Sequence, residues 1–125
     1  MVNYTLGDFL IKLKNAAMAK NKTFRVRPTK LILAVAVSLK KQGYLDEIKK
    51  EKNFSEFLLT FRNKRPVLTD LKLVSKPGLR IYTDIWELEK RRKPSILIIS
   101  TPKGILSSKE ALKMGVGGEV LAEVL

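Results

Sequence analysis

The 125-residue sequence has no cysteine and no histidine. Without cysteine there is neither a disulfide framework nor a thiolate metal site, and without histidine the commonest acid–base side chain at neutral pH is missing. Both absences weaken every catalytic reading. Long apolar runs are also missing: the longest, Leu31 to Val37, falls far short of the roughly 20 residues a membrane helix needs. The opening MVNYTLGDFL carries an acid where a secretory signal would carry positive charge. A soluble protein of a reducing compartment is expected, with no membrane partner.

Acidic residues are scarce beside the bases. Lys and Arg number 25 against 12 Asp and Glu, a net charge of +13. Such an excess goes beyond what solubility requires and costs self-repulsion that a polyanionic partner would relieve. Residues 1–64 hold 14 basic and 5 acidic side chains, and residues 65–125 hold 11 and 7. If both halves touch one polyanion, the first supplies more of the nonspecific attraction and the second more of the geometry. With 45% hydrophobic residues, the chain can build one ordinary domain or two very small ones.

Apolar spacing at Leu6, Phe9, Leu10, Leu13, Ala16 and Ala17 predicts a helix from Thr5 to Ala19, capped by Asn3 or Thr5. TFRVRP reads as a short strand ended by Pro28. TKLILAVAVSLKKQ reads as a second helix, Thr29 to Gln42, capped by Thr29, stopped by Gly43 and apolar on nearly every side. A hairpin follows: YLDEI, the charged loop KKEKN, then EFLLTF with Phe57, Leu59 and Phe61 on one face. The first domain, 1–64, is therefore α-β-α-β-β.

Arg65-Pro66 is the expected boundary, because proline disfavours a central strand. In the second domain, 65–125, VLTDLKLV reads as a strand and SKPGLRIY as a Pro-Gly turn feeding another extended piece. Asp84 to Lys90 reads as a short helix, and SILIIS as a strand buried on both faces. Ser107 and Glu110 stand at capping-box spacing, so Ser108 to Met114 should be helical and closed by Gly115. A turn at Gly117 to Glu119 leads into a last strand with Val120 and Ala122 on one side and Leu121 and Glu123 on the other. The fold class expected is α/β of the α+β kind, in two small domains.

STPKG follows a strand but lacks P-loop spacing, and GVGGE lacks the dinucleotide fingerprint. Asp84, Glu87 and Glu89, like Asp46 and Glu47, suit solvated surfaces better than acid–base pairs. No enzyme and no cofactor are expected. Basic residues fall in three groups: near the N-terminus, around the Pro-Gly turn at Lys76 and Arg80, and from Lys90 to Lys93. Together they favour anion binding, with Lys14 beside Arg25 and Arg27 as the preferred phosphate contacts. Tyr82 either stacks on an unpaired base or fills a core edge, while Trp86 is expected to pack.

VSKPGLRIY followed by IISTPKGILSSKEALKMGVGGEVL closely resembles the signature of the small-subunit ribosomal protein eight family, of bacterial or organelle type. The resemblance covers essentially the whole chain, with DFLIKLKNA similar to that family's first helix and RPTKLILAVAVSLKKQGYL to its second. It implies a two-domain protein that binds the central domain of small-subunit ribosomal RNA, beside neighbouring ribosomal proteins in a cytoplasmic or organelle ribosome. A translational repressor on its own operon messenger, through a mimic of the ribosomal site, is the alternative it leaves open. By position, Ser100, Thr101, Lys103 and Gly104 become the RNA-contacting loop, with Tyr82 and Glu119 close by. The hydroxyls can donate and accept, Gly104 allows close backbone approach, and Lys103 supplies a point charge. Glu119 either orients the loop or accepts from a base amino group. Two positions depart from the family: Pro102 stands where a second serine is common, and Tyr4-Thr5 where Asp-Pro is common.

Overall fold

The structure, a computed structural model, describes residues 5–125. Helices and antiparallel sheets combine in an α+β fold. The described chain forms two compact units, Thr5–Asp70 and Leu71–Leu125. Asn3 as a cap and the departure at Tyr4 lie outside the described residues.

The first unit begins with helix α1 (Thr5–Met18). Thr5 is its first helical residue rather than its cap. The predicted apolar stripe, Leu6 through Ala17, is buried as its spacing requires. Strand β1 (Thr23–Val26) pairs with β3 (Ser55–Leu59), which pairs with β2 (Leu45–Lys50), all antiparallel. Phe9, Phe24 and Phe57 meet at their centre with ring centroids 5.0–5.7 Å apart, tilted and offset geometries that add to plain area burial. Helix α2 (Lys30–Lys41) is capped as expected, the Thr29 hydroxyl accepting from the Ile32 N–H at 3.2 Å. It is not covered all round. Ile32, Val35, Ala36 and Leu39 are buried, whereas Leu31 and Val37 are 42% and 46% exposed, because one small sheet and one helix offer α2 only one face to cover.

The strands β4 (Phe61–Arg62) and β5 (Arg65–Pro66) form a two-residue hairpin around Asn63 and Lys64. Both turn residues have positive φ, 54° and 65°, which matches the right-handed twist of the flanking strands. Phe61 therefore does not continue the Phe57 and Leu59 face. Arg65-Pro66, the expected boundary, folds back on Phe61–Arg62 instead. Pro66 is tolerated there because a two-stranded ribbon leaves every strand an edge. The two units divide a little later, after Asp70.

In the second unit, strand β10 (Gly118–Val124) is the hub. It pairs with β8 (Ile96–Thr101) on one side and with β6 (Leu71–Leu73) and β7 (Tyr82–Thr83) on the other, and β8 pairs in turn with β9 (Gly104–Ser107). VLTDLKLV yields only three strand residues. Helix α3 (Ile85–Lys90) is capped by Asp84, whose carboxylate accepts from the Glu87 N–H at 2.9 Å. Helix α4 (Ser108–Met114) carries the expected capping box: Ser107 Oγ accepts from Glu110 N–H at 3.2 Å, and Glu110 accepts from Ser107 N–H at 3.1 Å. Leu88, Ile99, Leu106, Ala111 and Val120 form one core cluster of this unit, and Leu71, Ile98, Leu121, Ala122 and Val124 are buried as well. A bulge between Val120 and Ala122 breaks the predicted alternation, so Val120, Leu121 and Ala122 are all buried.

Candidate nucleic-acid interface

The register of the second sheet sets three site residues side by side. Tyr82 is opposite Glu119, and Glu119 is opposite Ser100. Directly opposed residues share a face, so these three form a row on the face away from Ile99 and Val120, which meet the helical core residues Leu88 and Ala111. Of the two alternatives for Tyr82, the exposed ring is the one observed: 67% of it is open. Glu119 is held by Arg80, which donates to it at 3.1 Å.

STPKG is a hairpin turn rather than a free loop. Thr101 and Gly104 are opposed at the ends of β8 and β9, with Pro102 and Lys103 between them. Proline fits the first turn position because its φ is preset, and Gly104 takes φ 111°, a conformation costly for any other residue. Thr101 Oγ1 closes the turn twice: it donates to the Gly104 carbonyl at 2.7 Å and accepts from the Lys103 N–H at 3.1 Å. Ser100 Oγ makes no hydrogen bond to another described side chain or backbone group, and the residue is half-buried. The two adjacent hydroxyls therefore differ. Thr101 is engaged by the turn, and the Ser100 hydroxyl is not.

The glycines that follow α4 place the row. A Cβ on Gly118 would lie 2.0 Å from the Ser100 carbonyl oxygen, and one on Gly117 2.4 Å from that of Thr83. Gly118 is a strand residue pressed against β8, not part of a turn. Beyond β6, Lys76 and Leu79 exchange backbone hydrogen bonds at 2.9 Å around Pro77-Gly78. Ser75, fully buried, staples this loop: its hydroxyl accepts from the Ile81 N–H at 2.9 Å and donates to the Ile81 carbonyl at 3.2 Å. Lys76 and Arg80 are thus exposed on a loop whose base is fixed. Sequence reasoning passed over Ser75, although a hydroxyl just ahead of Lys-Pro-Gly was a signal for a side-chain-closed turn.

The remaining site residues belong to the first unit. Lys14, half-buried, stands 3.5 Å from the exposed Asp70. Arg25 pairs with Glu56 at 3.2 Å and lies over the Phe54 ring at 4.9 Å. Arg27 is exposed, in no ion pair among the described residues. Surface pairs of this kind contribute at most about 1 kcal/mol, so phosphate can compete for these cations. Trp86 does not pack: it is 70% exposed, because α3 buries Leu88 and is too short to cover a second face. A further polar group missed by sequence lies at the other end of β10. Arg91 and Ser95 both donate to Glu123, at 3.1 and 3.0 Å, and the Ser95 hydroxyl chiefly holds the Glu123 carboxyl below its ordinary pKa against partial desolvation.

Among the described residues no helix is long and apolar enough to cross a membrane. The family model described as Ribosomal protein S8 matches residues 4–125. The chain is 39% identical to the Small ribosomal subunit protein uS8 of Roseiflexus castenholzii, over 98% of each chain. It is 39% identical to that of Trichodesmium erythraeum, over 98% of this chain and 97% of the relative. The Small ribosomal subunit protein uS8c of Tetradesmus obliquus is 36% identical over 99% of both.

Proposed function

The chain belongs to the ribosomal protein S8 family, and we propose from that premise that it is a structural, non-catalytic component of the small ribosomal subunit that binds the central domain of the ribosomal RNA. The observation that carries the RNA reading is the row Tyr82, Glu119, Ser100, continued by the Pro102-Lys103 turn. An exposed ring can stack on a splayed base, an open hydroxyl can meet a base edge or a ribose 2′-hydroxyl, and Lys103 can reach phosphate. A-form RNA hides its base edges in a deep groove, so specificity of this kind needs an irregular, partly unstacked helix. Lys76, Lys14, Arg25 and Arg27 add electrostatic attraction that any RNA would feel.

Two substitutions test the reading on the full chain. Ser100→Ala removes one hydrogen bond, so binding to a cognate helix from the central domain should weaken about threefold to tenfold, with arbitrary duplex little changed. Equal losses on both RNAs would remove Ser100 from the specificity role. Lys14→Ala should weaken both RNAs alike and lower the salt slope by about 0.7–0.9; an unchanged slope would mean that Lys14 touches no phosphate. A messenger site that mimics the ribosomal helix would use this same surface, and identifying the RNAs crosslinked to the protein in cells tells whether repression accompanies assembly.

A further inference from the structure

The second unit has a groove whose lining reaches Tyr82 of the RNA row but neither Glu119, Ser100 nor the Pro102-Lys103 turn. It encloses about 720 Å³ between β6, the loop around Leu79 and helix α3. Val74, Leu97 and Val120 make its floor, and Leu79 and Ile81 make a wall. Leu79 is 60% exposed and Ile81 38%, so aliphatic surface is left in water. Leu97 and Val120 alternate with Ser100 and Glu119 along their strands, which puts the floor on the opposite face of the sheet from the row.

The charge around this floor is one-sided. Lys72, Lys76, Lys90 and Lys93 line the groove, none within ion-pair distance of a described carboxylate, although Lys93 acts on Glu123 through space and Lys76 is shared with the RNA surface. Its two carboxylates are already engaged, Glu123 by Arg91 and Ser95, Glu87 by the Thr83 hydroxyl. We propose that the groove holds an acidic, aliphatic peptide segment of a neighbouring protein while RNA occupies the other face. Carboxylates would answer the four lysines, and leucine or valine side chains would cover the floor. A nucleobase is the poorer occupant. Its donors and acceptors would be left unpaired against aliphatic walls, at a cost a hydrocarbon side chain does not meet.

The test uses the full chain with labelled methyl groups and three probes of equal length: an alternating Asp-Leu hexapeptide, an alternating Asp-Gly hexapeptide and a uridine hexanucleotide. The Asp-Leu peptide should shift the methyls of Val74, Leu79, Ile81, Leu97 and Val120, with a Kd at least threefold lower than that of Asp-Gly. The double variant Lys90→Glu/Lys93→Glu, altered only at exposed positions, should weaken it about tenfold. Leu79→Ser should weaken Asp-Leu but not Asp-Gly. If the two peptides bind alike, if neither moves the groove methyls, or if the charge reversal changes nothing, the proposal is wrong. Tighter binding of the hexanucleotide at those methyls would assign the groove to RNA and overturn it equally.

Discussion

Replacing Gly118 by alanine isolates one steric contact at the centre of the proposed RNA surface. Its backbone does not require glycine for φ, since among the glycines only Gly43, Gly78, Gly104 and Gly115 have positive values. What requires glycine is the neighbour: the new Cβ would lie 2.0 Å from the Ser100 carbonyl oxygen, 2.9 Å from its carbon and 3.1 Å from Thr101 Cα. All three are backbone atoms, so no rotamer change relieves them. β8 and β10 must separate by about 1 Å or more, in a ladder whose normal spacing is about 4.8 Å. Overpacking typically costs about 1–3 kcal/mol, and an immovable backbone partner places this case at the upper end or beyond. For a chain of this length the unfolding entropy is about 0.26 kcal/mol/K, so about 3 kcal/mol lowers Tm by about 11 °C. Gly115→Ala is the control, with φ 72° and nothing within 4 Å. It bears only the left-handed penalty, roughly 1–2 kcal/mol, or about 4–8 °C. Thermal unfolding followed by circular dichroism compares the two. A Gly118→Ala protein that melts within about 2 °C of wild type, or above Gly115→Ala, would refute the close-approach argument. In a protein that still folds, cognate RNA affinity should fall as well, because Ser100 and Glu119 sit on the displaced strands.

Ser75→Ala leaves the N–H and C=O of Ile81 without their side-chain partner, a loss of about 1–3 kcal/mol; amide exchange at Ile81 should quicken by about tenfold or more, with little change in the first unit. Ser107→Ala removes the N-cap of α4 and half of its capping box, costing about 1 kcal/mol and roughly 4 °C in Tm. Glu123→Gln tests a pH linkage. The Glu123 carboxyl is held below its ordinary pKa, first by the Ser95 hydroxyl and then by Arg91 and Lys93. A depressed carboxylate stabilises the fold above its unfolded value, about 4.3, and loses that contribution as pH falls through the folded value. Wild type should therefore exceed Glu123→Gln in denaturant midpoint at pH 7, and the gap should narrow as pH falls below that unfolded value; a gap that does not narrow in acid would contradict the linkage.

Local signals were legible where one residue and its near neighbours decide the outcome. Thr29 as cap, the Ser107–Glu110 box and the extent of α4 depend on side chains within a turn of the backbone they satisfy, and each stands as its spacing implies. Among the candidate site residues of the second unit, Lys76, Arg80 and Tyr82 were suggested by charge grouping and position, whereas Ser100, Thr101, Lys103, Gly104 and Glu119 came only through resemblance, since nothing in the spacing of Tyr82, Ser100 and Glu119 reveals that two strand pairings set them in one row. Tertiary packing explains the misses. Trp86 lies among apolar neighbours in sequence, yet a six-residue helix has one buried face and Leu88 takes it. Gly117-Gly118 looks like a turn in sequence because glycine is ambiguous: the same absence of Cβ serves a turn or a close approach, and only the position of Ser100 and Thr83 tells which.

The division of hydrogen bonds at the hairpin decides what Pro102 does to recognition. Relative to serine it lacks a hydroxyl and a backbone donor, which by itself would weaken an RNA contact. Yet the turn it occupies is already closed from both sides by the Thr101 hydroxyl, and proline restricts φ at the position where that turn needs restriction. The ordering cost of the loop is then met on folding rather than on binding. Ser100 stands on the regular strand just before this turn, its Oγ unengaged, with its carbonyl pressed against Gly118 and its cross-strand partner Glu119 tied to Arg80. Rigidity thus comes from Thr101, Pro102 and Gly118, and the groups the proposal assigns to RNA are those of Ser100, Tyr82 and Lys103. On the proposed surface, a residue whose contribution is stiffness can lack the hydroxyl without removing a contact, because the hydroxyl left unengaged by the protein belongs to Ser100, two positions earlier.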